Sequence, residues 1–227
     1  MITVRRSEER GHSQFGWLDS RHTFSFSSYQ DPRFMGCSVL RVINEDHVAA
    51  GGGFPPHSHD NMEILTYVLK GAVSHRDSMG NEVRVGAGEF QLMSAGTGVT
   101  HSEYNREAGE LEFLQIWIYP NTHNTEPSYQ QRRFPERDGL QLVVSPDGAA
   151  DSLRIRQKAR LWRGRLAEGE SATHAMAGKT AWLQQVRGSV EVDGATLHAG
   201  DGAEIREEPQ LRLRAASDTE FLLFDLP

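Results

Sequence analysis

Two pairs of side chains in this chain have the types and spacing to bind a metal ion. In GGGFPPHSHDNMEI (51–64), His57 and His59 are two residues apart, so on an extended strand both imidazoles leave the same face. Further on, GTGVTHSEYN places His101 and Glu103 at the same spacing. If the two strands face each other inside a barrel, three imidazoles and one carboxylate converge. That donor set suits a first-row divalent metal and leaves positions open for a ligand or for oxygen. One His-x-His alone is a common chance pattern; the second pair makes the signal specific. Glu63, four residues past His59, is a rival carboxylate. It can be read as a ligand, as an acid that orients a histidine, or as a base lining the pocket. Gly51-Gly52-Gly53 is not a phosphate loop, because Pro55 and Pro56 follow at once and leave no helix N-terminus to offer. His12, His22, His47, His75, His123, His174 and His198 have no partner at ligand spacing and read as structural or surface residues.

The elements that must carry these residues read as strands. In SVEVDG, Val190 and Val192 share one face while Glu191 and Asp193 share the other, and Asp193-Gly194 is a tight-turn signal into ATLHAGD. VSHRD and EVRV flank Ser78-Met79-Gly80-Asn81 as a second hairpin. LEFLQIWIY (111–119) is apolar on both faces, as a strand buried on both sides is. FLLFDLP reads as a last strand, and no helix longer than about ten residues is expected. The polar stretch 121–139, with two prolines and no periodicity, reads as a connection between two halves. A loose repeat supports that division: ILTYVLKGAVSHRDSMGNEVRVGAGEF and AWLQQVRGSVEVDGATLHAGDGAEI each run strand, glycine, hairpin and glycine-containing turn. Arg154, Arg156, Lys158 and Arg160 alternate with Leu153, Ile155, Gln157, Ala159 and Leu161 and read as the solvated face of one strand, neutralised by Glu204, Glu207 and Glu208.

Composition narrows the function classes. With 227 residues the chain is worth roughly one and a half domains. Its one cysteine, Cys37, excludes an intramolecular disulfide framework and cysteine-held zinc or iron–sulfur centres, and points to a reducing, cytoplasmic setting. MITVRRSEERGH lacks the apolar stretch of a signal peptide. No run approaches the roughly 20 apolar residues of a spanning helix. A net charge of −7 argues against wholesale binding to nucleic acid or anionic membrane.

At this point the chain resembles a known family. GGGFPPHSHDNME followed by GEFQLMSAGTGVTHSEYN is similar to the two cupin motifs. The motif glycine, five residues, His-x-His is met by Gly51 to His59, and a closing His-x3-Asn by His101 and Asn105. Two departures stand out: seven residues rather than six separate Glu63 from Gly71, and Ser94 replaces an expected proline. HTFSF, LRVINED, TYVLKG and HRDSMGN narrow the resemblance to the pirin branch, over nearly the whole chain. The resemblance implies an all-β bicupin, two stacked antiparallel β-barrels of the jelly-roll type. They would span 1–134, a metal-binding barrel with linker, and 135–227, a degenerate barrel without metal. It implies one mononuclear divalent metal, Fe(II) by choice, on His57, His59, His101 and Glu103, with Glu63 outside the ligand set. It also implies a quercetin 2,3-dioxygenase activity on a flavonol and O2; for that chemistry Glu103 is the expected catalytic base as well as ligand, since a carboxylate that partly detaches can take the proton. The expected protein is a monomer without nucleic-acid or membrane partner. The alternative is a redox-sensing regulatory module acting through a protein partner.

Overall fold

Short alternating runs punctuated by glycine leave this chain little choice but sheet, and the computed structural model, which describes residues 1–227, is built almost entirely from strands. The only helical pieces are three-residue turns at Ser7–Glu9 and Ala149–Asp151. Four sheets form two pairs. In the first pair, a seven-stranded sheet runs Ser128–Arg133, Glu89–Ser94, Glu63–Lys70, Leu111–Ile118, Leu40–Val48, Leu18–His22, Gly11–Phe15. A four-stranded sheet completes it: Gly53–His59, Val99–Tyr104, Ala72–Asp77, Glu82–Gly86. Residues 139–226 repeat the arrangement, with Ser171–Ala175, Gln210–Ala215, Ser189–Val192 and Ala195–His198 as the smaller sheet. The fold is all-β with two similar domains, as expected, but the expected barrels are not closed: no ladder joins the sheets of a pair, so each domain is an open sandwich.

Both hairpins form where the turn signals stand. At Asp193-Gly194, φ is 43° and 90°, the doubly positive geometry that a two-residue hairpin needs. The expected connection 121–139 contains a strand, Ser128–Arg133, which extends the first large sheet along Glu89–Ser94. Its polar sequence hides it because it is an edge strand with little buried area. We propose the domain boundary at residues 134/135, just beyond that strand; Ile2–Arg5 crosses the division to pair with Gly202–Arg206. The basic run is not one strand either. Leu153–Arg154 and Arg160–Leu166 are separate, the Arg156 N–H and guanidinium reach back to Glu63 and Thr125, and Glu204 pairs with Arg206.

The strand Leu111–Ile118 shows how the core and the site are separated. Leu114, Ile116 and Ile118 join a 22-residue apolar cluster that includes Leu65, Phe90, Leu161, Trp182, Leu222 and Phe224, and so spans both domains. Phe113, Gln115 and Trp117 alternate onto the other face, toward the smaller sheet. The second domain fills its own interior with Leu183, Val190, Leu197, Leu213, Phe221 and neighbours. There His174 bonds Asp225 at 3.1 Å.

Candidate metal centre

Backbone register brings the two histidine pairs together. Gly53–His59 and Val99–Tyr104 lie side by side in the four-stranded sheet, not across a barrel from each other, with His57 opposite His101 and a bulge between His101 and Glu103. Gly53 permits this approach: a Cβ there would stand 2.5 Å from the Glu103 carbonyl oxygen and 2.6 Å from Tyr104 Cα. Ring centroids of His57 and His101 are 4.4 Å apart, those of His57 and His59 4.9 Å, and those of His59 and His101 5.0 Å. One donor nitrogen from each lies within 4.8 Å of the others.

The electrostatics suit a metal ion. Burial, reinforced by neighbouring imidazoles, pushes His59 down to about 4 and His101 down to about 3, so both rings are neutral with a lone pair to give. His57 Nδ1 is 2.8 Å from the Pro55 carbonyl oxygen, which can only accept. Nδ1 therefore carries the proton and Nε2 is left as a free donor. Both nitrogens of His101 are buried with no hydrogen-bond partner, an arrangement that costs about 1–3 kcal/mol unless a ligand satisfies them. Three convergent imidazoles, His59 and His101 held neutral by burial and His57 with Nε2 unengaged, are the donor set a divalent transition metal takes.

Glu103 enters through a second set, in which its carboxylate lies within 4.8 Å of donors from His101 and His75. Its orientation is fixed from the large sheet. Gln115 Nε2 donates to it at 2.8 Å, Gln91 Nε2 at 3.3 Å and Thr66 Oγ1 at 3.4 Å. Glu63 lies apart from these donor sets. Its carboxylate accepts from Ser94 Oγ (2.8 Å) and from the Arg156 N–H (3.2 Å), which ties the first domain to the start of the second, and burial raises its pKa against those two bonds.

Two histidines read as structural or surface residues, His75 and His22, stand at the site, and Asp77 joins them. His75 is opposite Glu103, and Asp77 opposite His101, in the ladder between Val99–Tyr104 and Ala72–Asp77. His75 Nε2 bonds Asp77 at 2.9 Å and its ring stacks on Tyr129 at 5.0 Å. The sequence did hold a signal: His75-x-Asp77 has the same two-residue spacing as the other pairs, and only the register was missing. His22 lines a cavity of about 200 Å³ beside the imidazoles, with Ser13, Ser20, Asn44, Asp46, His57, Glu103 and Gln115 as polar lining and Phe15, Leu18, Phe26, Phe54 and Trp117 as apolar walls. Trp117 also stands edge-on to His59 at 5.0 Å.

Comparison with known proteins places the chain in a family. The family model described as Pirin matches residues 3–118, and that of the quercetinase C-terminal cupin domain matches 142–226. The chain is 52% identical to a quercetin 2,3-dioxygenase of Escherichia coli (strain K12), over all of this chain and 99% of that protein. It is 38% identical to the pirin-like protein YhaK of the same organism over the full length of both. Among solved structures, bacterial pirin YhhW from Escherichia coli in complex with nickel(II) superposes with a TM-score of 0.97 at 51% identity, covering all of this chain and 99% of that one. No helix is long and apolar enough to cross a membrane. The chain belongs to the pirin family of cupin proteins.

Proposed function

We propose that this chain is a metal-dependent dioxygenase that opens the heterocyclic ring of quercetin-like flavonols with O2, its ion held by His57, His59, His101 and Glu103. The observation that carries the reading is the convergence of three imidazoles, both buried nitrogens of His101 unsatisfied, beside an aromatic-walled cavity. The naming of a 52% identical relative as a quercetin 2,3-dioxygenase supports it, and the nickel(II) complex of YhhW supports the binding of a metal ion. Fe(II) is the proposed ion, with nickel(II) the first competitor.

Each residue has a task in this reading. When bound, the ion supplies a Lewis-acidic position for an enolate oxygen and a redox partner for oxygen. His57 presents Nε2 because Pro55 occupies its Nδ1. Glu103 accepts the proton of the flavonol 3-hydroxyl, held in place by Gln115, Gln91 and Thr66. Phe26, Phe54 and Trp117 flank a planar ring and exclude water. The test is quercetin consumption in air and under nitrogen by the metal-loaded chain. Oxygen-dependent loss that disappears in His57→Ala and His101→Ala supports the proposal. Tight metal with no turnover, whichever ion is supplied, refutes it in favour of the regulatory module. Glu103→Gln with full metal and full turnover removes the base assignment alone.

A further inference from the structure

The cavity contains one carboxyl group that the proposed reaction does not use. Asp46 lies on Leu40–Val48, where alternation sends Asn44 and Asp46 to the cavity side and Glu45 and His47 to the other. It is only 4% exposed. Its Oδ1 accepts from Ser20 Oγ, while Oδ2 takes no hydrogen bond from the protein and is not sealed in, so it opens onto the cavity. No salt bridge reaches Asp46: Arg10 pairs with Glu45, its neighbour on the opposite face. A buried carboxyl without a cation is a standing cost to the fold. Burial is the largest cause raising its pKa, to about 7, with Ser20 and His47 opposing and Glu103 and Glu45 adding to the rise.

Of the other polar groups around the cavity, His22 and Gln115 are already engaged, and His57 Nε2 faces the ion site. His22 Nε2 pairs with Ser13 Oγ at 2.9 Å and Nδ1 with Asn44 Oδ1 at 2.8 Å. Gln115 is committed to Glu103. Asp46 Oδ2 is thus an acceptor held open among Phe26, Phe54 and Trp117, a pairing of planar walls with one free carboxyl oxygen. The volume, about 200 Å³, falls below the roughly 300 Å³ at which pockets enclose a drug-sized ligand whole, and suits a single ring.

We infer that Asp46 determines specificity by accepting a hydrogen bond from a hydroxyl on the ring that occupies this cavity. The inference deepens the flavonol reading, naming a hydroxylated ring as the part of the substrate that enters, and its test needs no turnover. A ring whose hydroxyls are methylated has no proton to give, leaves Asp46 unpaired, and is rejected; discrimination of this kind is strong because the unpaired group is buried.

The probes are resorcinol and its dimethyl ether, titrated calorimetrically into the full-length protein, with tryptophan fluorescence as a second readout. Wild type binds resorcinol at least about tenfold more tightly than the ether. Asp46→Asn keeps the shape and the bond from Ser20 but turns an N–H toward the cavity, so the preference falls to near unity or reverses. Asp46→Leu, checked by thermal melting, loses the preference too. A wild type that fails to prefer resorcinol, or an Asp46→Asn protein that keeps the wild-type ratio, overturns the inference. Quercetin turnover, measured separately, reports on the dioxygenase reading: its absence with the preference intact refutes that reading and leaves Asp46 in place.

Discussion

Asp46→Asn should make the metal-free protein more stable, and more so as the pH rises. The carboxyl titrates near 3.8 when solvated and near 7 in the fold. A raised carboxyl pKa means that the folded state holds the proton more tightly. Its stabilising contribution is therefore complete below 3.8 and lost as pH climbs through 7. The difference, about 3 pKa units at about 1.4 kcal/mol each, makes the ionised Asp46 cost about 4 kcal/mol near pH 8 and about 1–2 kcal/mol near pH 5. Asparagine carries no charge at either pH and still accepts from Ser20. Urea unfolding at the two pH values should show the variant gaining about 2–3 kcal/mol more at the higher one. Equal gains at both, or a loss at the higher pH, would refute the reasoning that an unpaired buried carboxyl is kept here at the expense of stability. The metal must be stripped, since a cation nearby would favour the carboxylate and shrink the effect.

Further outcomes follow from the same structure. Gln115→Leu removes the shortest donor to Glu103 (2.8 Å), and should weaken metal binding about 10–100-fold in a chelator competition while leaving the melting temperature of the metal-free protein within a few degrees. His101, neutral in the fold because its pKa drops from 6.5 to about 3, lends stability that is complete above 6.5 and erodes as pH falls toward 3. Denaturation of the metal-free protein across that window should show His101→Gln flattening the slope by up to about 1.4 kcal/mol per pH unit. Gly164→Ala places a Cβ 2.1 Å from the Phe221 ring across the ladder, and should lower stability by about 1–3 kcal/mol, seen as a fall in melting temperature without change in metal affinity.

Much of this molecule could be read from one sequence. Period-two alternation announced the strands, Asp193-Gly194 the hairpin, and an apolar run the doubly buried Leu111–Ile118. The two-residue spacing named His57, His59 and His101, because a strand's pleat alone puts such pairs on one face. What spacing does not encode is register. Nothing local says that Asp77 stands opposite His101 or that His75 stands opposite Glu103, so that pair read as an ordinary hairpin. Nor does it encode what a strand from the other sheet turns inward: Asp46 and Gln115 sit in LRVINED and LEFLQIW without motif, and acquire meaning only when the sheets close over them. Glu63 shows the converse. Its position four residues past His59 suggested the pocket, but its strand belongs to the large sheet and its carboxylate serves Ser94 and Arg156.

The central claim is that His57, His59, His101 and Glu103 hold one metal ion. Metal analysis of the purified chain beside His57→Ala, His101→Ala and Glu103→Ala, all shown folded by circular dichroism, tests it most directly. The account predicts close to one ion per wild-type chain and a large fall in each variant. An unchanged stoichiometry across the three variants, or an ion that leaves only when residues of the second domain are replaced, would contradict it.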